Sequence, residues 1–237
     1  MASPHSDRPR VPPPPALAPY HVPEGVDGSH AIRTVAELTR FRWTGLAGIA
    51  GGVLLVIATV VDFLTAGEDP GAVNVEAPWL AVAAHTLLIF ASFGFAGLLG
   101  DLTRPAAHLG LALAVVGNVF IAGLMMIQVV EAGGALTMPV EDLVDELPSL
   151  LVIATVGYVG FVVGYLVLAY SLIRAQVTAI YAPAAIVIGC LLLIGGPILD
   201  VIFVSGMVVF AAGAVWLGKL VYDPGTVPAM PIDGPAE

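Results

Sequence analysis

Six long apolar segments constrain the fold of this 237-residue chain more than any other feature. Each is close to the roughly 20 residues that an α-helix needs to cross the hydrocarbon core of a bilayer. Lipid offers no hydrogen-bond partners to the backbone, and the short alternating pattern of barrel strands is absent, so helices are favoured. The sequence therefore predicts an all-α integral membrane protein, with a bundle of six transmembrane helices over 44–221. The predicted spans run over about 44–65, 79–100, 108–130, 149–173, 180–198 and 201–221.

Composition agrees with a membrane location. Charged residues make up 11% of the chain, against about a quarter in soluble domains, and the mean hydropathy is +0.97. The net charge of −10 argues against a nucleic-acid partner, which requires clustered lysine and arginine. The single cysteine, Cys190, lies in an apolar segment, which excludes a disulfide within the chain and a cysteine zinc site. The bilayer is thus the predicted partner.

The positions of the basic residues predict the topology. They fall only in alternate gaps between the apolar segments, so the positive-inside rule places both termini in the cytoplasm of a cell-membrane protein. The tryptophans Trp43, Trp79 and Trp216 lie at predicted span ends, as interfacial anchors do. Abundant alanine, valine and glycine, with arginine favoured over lysine, indicate a prokaryotic source. The basic residues are Arg8, Arg10, Arg33, Arg40, Arg42, Arg104, Arg174 and Lys219.

The segments outside the spans are less regular. Residues 1–28 are rich in proline and predict a disordered cytoplasmic tail. Residues 29–43 predict either an interfacial amphipathic helix or an extension of the first span, and residues 222–237 a short cytoplasmic tail. The last two spans meet at 195–200 almost without a polar loop. We separate them because one segment over 180–221 would be about twice the length that a span requires.

Several polar residues lie in or near the predicted outer halves of the spans. The carboxylates Asp62, Glu131 and Asp200 stand at the outer boundary, and Gln128 lies one turn from Glu131. His85 lies inside its span, roughly 9 Å below the predicted interface at 1.5 Å per residue. We predict that these five side chains line one outward-facing pocket, where a carboxylate and the histidine share protons or coordinate a cation.

Each of these residues also has a simpler interpretation. Carboxylates at span ends can face water, and His85 can be a neutral packing histidine bonded to a helix carbonyl or to Asn118. A metal ion could use His85, Glu131 and Asp62, but no local metal-binding motif is present. Haem is disfavoured, because the second histidine of a transmembrane site should lie at a similar depth and His108 is at the inner edge. No cofactor is predicted.

Glycine pairs predict close helix packing. Gly48 and Gly52 form a G-x-x-x-G pair in the first span, and Gly160 and Gly164 form another in the fourth. Such pairs let two helices approach closely, either within the bundle or between protomers. A homo-oligomer or a partner membrane subunit is therefore an alternative to packing within one chain.

Three functions are compatible with this sequence, and no catalytic residue is identified. The first is binding or conduction of a small solute, cation or proton through the outward-facing pocket. The second is a non-catalytic accessory or scaffold subunit of a membrane complex. The third, less favoured, is an enzyme acting on a lipid or quinone, for which Tyr158 and Tyr165, seven residues apart on one helix face, could flank an aromatic pocket.

Overall fold

The computed structural model describes residues 42–65, 76–99, 105–134, 147–176, 178–195 and 200–223. The predicted disordered tail 1–28 lies outside the described residues, as do 29–41 of the predicted interfacial segment and 224–237 of the C-terminal tail. The described residues form six α-helices. These are α1 (Arg42–Thr65), α2 (Glu76–Gly97), α3 (Pro105–Ala132), α4 (Pro148–Ala175), α5 (Tyr181–Gly195) and α6 (Asp200–Tyr222).

Helix length and composition confirm an all-helical protein suited to a membrane. Among the described helices, all except α5 are long and apolar enough to cross a bilayer. The shorter α5 has 15 residues, which corresponds to about 22 Å at 1.5 Å per residue. It ends at Gly195, three residues before the predicted end of the fifth span.

The surface of the helices is also what a membrane protein requires. Large apolar side chains point outward along the helices, and Phe90, Leu151 and Val201 are each more than half exposed. In water such a continuous apolar surface would drive aggregation, whereas in lipid it meets a solvent of its own polarity. The predicted anchors Trp43 and Trp79 are exposed in the first turns of α1 and α2.

The helices form a closed ring. Each helix packs against its neighbours along the chain, and α6 packs against α1, which closes the ring; α2 and α6 also touch across it. Successive helices are antiparallel, so the C-terminal ends of α1, α3 and α5 lie beside the N-terminal ends of α2, α4 and α6. This places segments of all six helices around one central axis.

The two ends of the ring differ in charge. The described arginines and lysine share one end, where Arg42 Nε donates a hydrogen bond to the Tyr222 carbonyl at 3.1 Å and its guanidinium lies 5.3 Å above the Tyr222 ring. We call this the basic end, defined by Arg42, Arg174 and Lys219. The other is the carboxylate end, defined by Asp62, Glu76, Glu131 and Asp200. The remaining described carboxylate, Asp223, follows α6 at the basic end.

Glycines bring α1 and α6 into backbone contact. Gly48 lies against Gly218. A β-carbon at Gly52 would stand 2.7 Å from Val215 Cγ2 and 2.9 Å from the Ala211 carbonyl oxygen, which is closer than atoms pack. The pair Gly48 and Gly52 therefore faces a neighbouring helix of the same chain.

The second glycine pair faces α3. A β-carbon at Gly160 would lie 3.1 Å from the Leu113 carbonyl oxygen, and one at Gly164 would meet the backbone of Ala114. Close approach of this kind lets the two helix backbones pack without intervening side chains. The α3–α4 contact lies within the ring.

The helices α5 and α6 form a hairpin rather than one long helix. α5 ends at Gly195 and α6 begins at Asp200. Gly206 of α6 lies beside Leu193, and Gly189 of α5 lies beside Phe210, so the two helices run antiparallel in contact. This geometry agrees with dividing the segment 180–221 into two helices.

Candidate functional site at the carboxylate end

A cavity of about 810 Å³ lies between the helices at the carboxylate end. This volume falls in the range of roughly 300–1,000 Å³ that is typical of small-molecule sites. We call it the pocket, and all six helices contribute to its wall. It extends from the exposed carboxylates Asp62 and Asp200 to the buried side chains His85 and Phe161. Its polar lining residues are Thr59, Asp62, His85, Gln128, Tyr158 and Asp200.

The structure brings together four of the five residues that the sequence predicts for this site. Asp62, His85, Gln128 and Asp200 all line the pocket. Glu131 is not among the described lining residues, because it stands three residues further along α3, next to the helix end at Ala132. The convergence is a property of the fold, and a role in binding remains a prediction.

The rest of the wall is apolar and partly aromatic. Side chains of α1, α3 and α6 dominate it, and two methionines add flexible, polarisable surface that adapts to the shape of a ligand. A pocket of this kind suits the apolar body of a molecule, with the few polar groups setting its orientation. The larger apolar lining residues are Leu55, Phe63, Ile121, Leu124, Met125, Phe161, Leu193, Phe203, Val204 and Met207.

An aromatic layer closes the base of the pocket. The His85 and Phe161 rings meet edge to face, with centroids 5.6 Å apart. On its other side, the Phe161 ring contacts the rings of Tyr165 and Phe210, with centroids 5.0 Å and 4.8 Å away. The Tyr165 and Phe210 side chains are fully buried. The pocket is therefore open toward the carboxylate end and packed shut toward the basic end.

His85 is held by an amide rather than by a carboxylate. His85 Nδ1 lies 2.9 Å from Asn118 Oδ1. The Asn118 amide nitrogen donates to the Ala114 carbonyl at 2.7 Å and to the Tyr165 hydroxyl at 3.2 Å. Of the partners that the sequence leaves open for His85, a carboxylate, a helix carbonyl or Asn118, the structure contains Asn118.

The hydrogen bonds continue to a serine that sequence reasoning missed. The Tyr165 hydroxyl lies 2.9 Å from Ser92 Oγ, and Ser92 donates to the Leu88 carbonyl at 2.8 Å. Ser92 and Tyr165 are buried within apolar helices, and the only signal for them in the sequence is a hydroxyl inside an apolar segment. The network joins α2, α3 and α4 directly below the pocket.

Tyr158 joins α4 to the short helix α5. It lines the pocket, and its hydroxyl donates a hydrogen bond to the Leu193 carbonyl. Leu193 lies in the last turn of α5, where the final carbonyls have no partner within the helix. Tyr158 therefore stabilises the end of α5 at the pocket wall, whereas Tyr165 lies beneath the pocket.

The metal-ligand set considered from the sequence is not assembled. Within the described residues, no group of three histidine, cysteine, aspartate or glutamate side chains is placed to hold a metal ion. The geometry of the pocket instead offers two carboxylates near its opening and one imidazole at its base, separated by apolar wall.

Comparisons with known proteins found no relative: no protein-family model, no curated protein and no solved structure matches this chain. Function must therefore be argued from the residues of the pocket.

Proposed function

We propose that this protein spans the cell membrane six times and binds a small, largely apolar molecule that carries a positive charge. The pocket is the binding site, and it opens on the face of the membrane opposite the two termini. The observation that carries this proposal is the convergence of Asp62, His85, Gln128 and Asp200 on one apolar cavity lined by all six helices.

The distribution of polar groups supports a cationic, apolar ligand. Asp62 and Asp200 are exposed at the carboxylate end of the pocket, where they can attract a cation, and the apolar wall lowers the local dielectric and strengthens that attraction. Below them the wall is mostly apolar, which favours the transfer of an apolar body out of water. A fully hydrated ion would lose its water shell there without replacement.

The aromatic layer favours binding over open conduction. A pore needs a continuous polar path, whereas the rings of His85, Phe161 and Phe210 pack against one another across the base of the pocket. Movement of a ligand toward the basic end would require these rings to separate. The pocket can bind and release a ligand through its opening at the carboxylate end while the aromatic rings stay in contact.

The ring also supports an even number of spans. Arg42 at the start of α1 donates a hydrogen bond to the carbonyl of Tyr222 at the end of α6, so the start of α1 and the end of α6 both lie at the basic end. An odd number of spans would separate them across the membrane. With the positive-inside rule, this end is the cytoplasmic one.

Removal of the two pocket carboxylates tests the ligand class. We expect the double variant Asp62→Asn, Asp200→Asn to bind tetrapropylammonium about fivefold more weakly than the wild type, since each partly solvated ion pair contributes up to about 1 kcal/mol. Isothermal titration calorimetry in detergent measures this. The matched control is Glu131→Gln, a carboxylate at the same end but outside the pocket lining.

Two results would contradict the proposal. One is the absence of saturable tetrapropylammonium binding to the wild type, which would favour an accessory subunit. The other is equal weakening by Glu131→Gln, which would show a general effect of surface charge. Co-purification of a lipid or quinone that the double variant also retains would favour the enzyme alternative.

Cysteine labelling tests the proposed topology. In a Cys190→Ala background, we expect a membrane-impermeant maleimide to label Gly133→Cys on intact cells, and Arg174→Cys only after the membrane is permeabilised. Both positions are exposed, at opposite ends of the ring, while Cys190 is fully buried. Labelling of Arg174→Cys from outside would overturn the orientation.

A further inference from the structure

We infer that His85 presents an unprotonated Nε2 to the pocket, and that the buried end of the ligand carries a hydroxyl or N–H that donates to it. This inference rests on the proposed function of the pocket and names the chemistry at its base. The carboxylates Asp62 and Asp200 at the opening select charge, whereas His85 selects a hydrogen-bond donor.

The orientation of Asn118 determines the tautomer of His85. The Ala114 carbonyl can only accept a hydrogen bond, so the group of Asn118 that lies 2.7 Å from it must be the amide NH₂. The amide oxygen therefore faces His85 Nδ1 at 2.9 Å. Because that oxygen can only accept, Nδ1 carries the proton, and in the neutral ring Nε2 is left with its lone pair.

The hydroxyls below Asn118 are compatible with this arrangement. Ser92 Oγ and the Tyr165 hydroxyl lie 2.8 Å and 3.2 Å from the Leu88 carbonyl, which can only accept, and 2.9 Å from each other, where either can donate. The Tyr165 oxygen then accepts from the Asn118 amide. A reversed Asn118 would place its amide oxygen against the Ala114 carbonyl oxygen, so this backbone acceptor holds the amide in its orientation.

Nε2 is the group of this network that remains available to a ligand. His85 lines the pocket and is 2% exposed, and within the described part of the chain its ring hydrogen-bonds only through Nδ1 to Asn118. Nε2 is not among the described buried side-chain atoms that lack a hydrogen-bond partner, so it is not sealed away from the pocket. A donor on the ligand can reach it there, and the apolar surroundings strengthen such a hydrogen bond. A ligand ending in a carboxylate or an ether would place acceptor against acceptor.

The tautomer can be read directly by ¹⁵N NMR. We propose a protein in which the other four histidines are replaced, His5→Gln, His21→Gln, His30→Gln and His108→Gln, purified without a histidine tag. His108 is exposed at the start of α3, and the other three precede α1. We expect the single remaining imidazole to show a protonated Nδ1 and an unprotonated Nε2. Protonation at Nε2 in the ligand-free protein would overturn the inference, whatever the pocket binds.

A matched pair of probes tests the ligand chemistry. 4-Butylphenol and 4-butylanisole share an apolar body, but only the phenol donates a hydrogen bond. We expect the phenol to bind about tenfold more tightly than the ether and to shift the Nε2 resonance on titration. The variant His85→Leu should bind both probes equally.

The outcomes separate this inference from the proposed function. Equal binding of the two probes to the wild type, without a shift at Nε2, overturns the donor requirement while the pocket stands as a binding site. Binding of neither probe overturns the donor requirement, and saturable tetrapropylammonium binding then decides separately whether the pocket is a ligand site. Should His85→Leu fail to fold, the wild-type probe preference and the Nε2 shift still decide between these results.

Discussion

Replacing Gly189 with valine is expected to lower the free energy of unfolding by about 3 kcal/mol. A β-carbon at this position would lie 2.5 Å from the Phe210 backbone nitrogen and 2.7 Å from its Cα. These atoms belong to the helix α6, so the clash cannot be relieved by turning a side chain, and α5 and α6 must separate. Thermal unfolding in detergent, followed by circular dichroism, should show a Tm about 10 °C below that of the wild type.

The control for this experiment is Gly123→Val in α3. Nothing lies within 4 Å of the position that its β-carbon would occupy, so the variant adds the same side chain to a helix without forcing two helices apart. We expect its Tm to stay close to that of the wild type. An equal fall in Tm in the two variants would mean that valine acts through helix propensity, and that α5 and α6 do not pack as closely as described.

Replacing Asn118 with leucine is expected to cost about 3 kcal/mol of stability. Asn118 is fully buried, and its loss removes the acceptor of the His85 Nδ1 proton and a donor to Tyr165. Buried polar groups left without partners lose the full free energy of their hydration. Thermal unfolding in detergent measures the loss. Thr155→Val is the control, because Thr155 is exposed and, among the described residues, its side chain bonds only the Leu151 carbonyl of its own helix.

A double-mutant cycle then measures the interaction between Asn118 and His85. Once Asn118 is leucine, His85→Leu removes a stranded donor, so the double variant should lose less stability than the sum of the two single variants. Additive losses would contradict a direct bond between the two side chains. The cycle therefore also tests the contact on which the tautomer of His85 depends.

Helix positions were the part of the fold best predicted from the sequence. The third predicted span, 108–130, lies within α3 (Pro105–Ala132), because hydropathy and helix length are local properties. Of the fifth predicted span, 180–198, the described helix α5 covers Tyr181–Gly195, and 196–198 lie outside the described residues. The sequence following the observed helix end at Gly195 contains Gly196 and Pro197, residues that commonly follow a helix.

The candidate site was predicted in part. Depth along each span and the sign of the charges were enough to group Asp62, His85, Gln128 and Asp200, because these depend on position in the sequence. The exclusion of Glu131 and the inclusion of Ser92 in the network were not predicted. Glu131 stands three residues beyond Gln128, next to the end of α3, and the packing of the helices sets where the pocket stops along that helix. The place of Ser92 depends on which face of α2 meets α4, and one sequence does not specify that.

The sequence by itself determined the apolar helices and the separation of basic and acidic ends, because burial in lipid and charge depend on residue type and order alone. Only the tertiary structure decided that α6 closes the ring on α1, that a pocket remains at the carboxylate end, and that His85 pairs with Asn118. The physical reason is rotation about the helix axis. Helices such as α2 are apolar on nearly every side, so hydropathy leaves their rotation undetermined, and close packing at glycines and buried hydrogen bonds must set it.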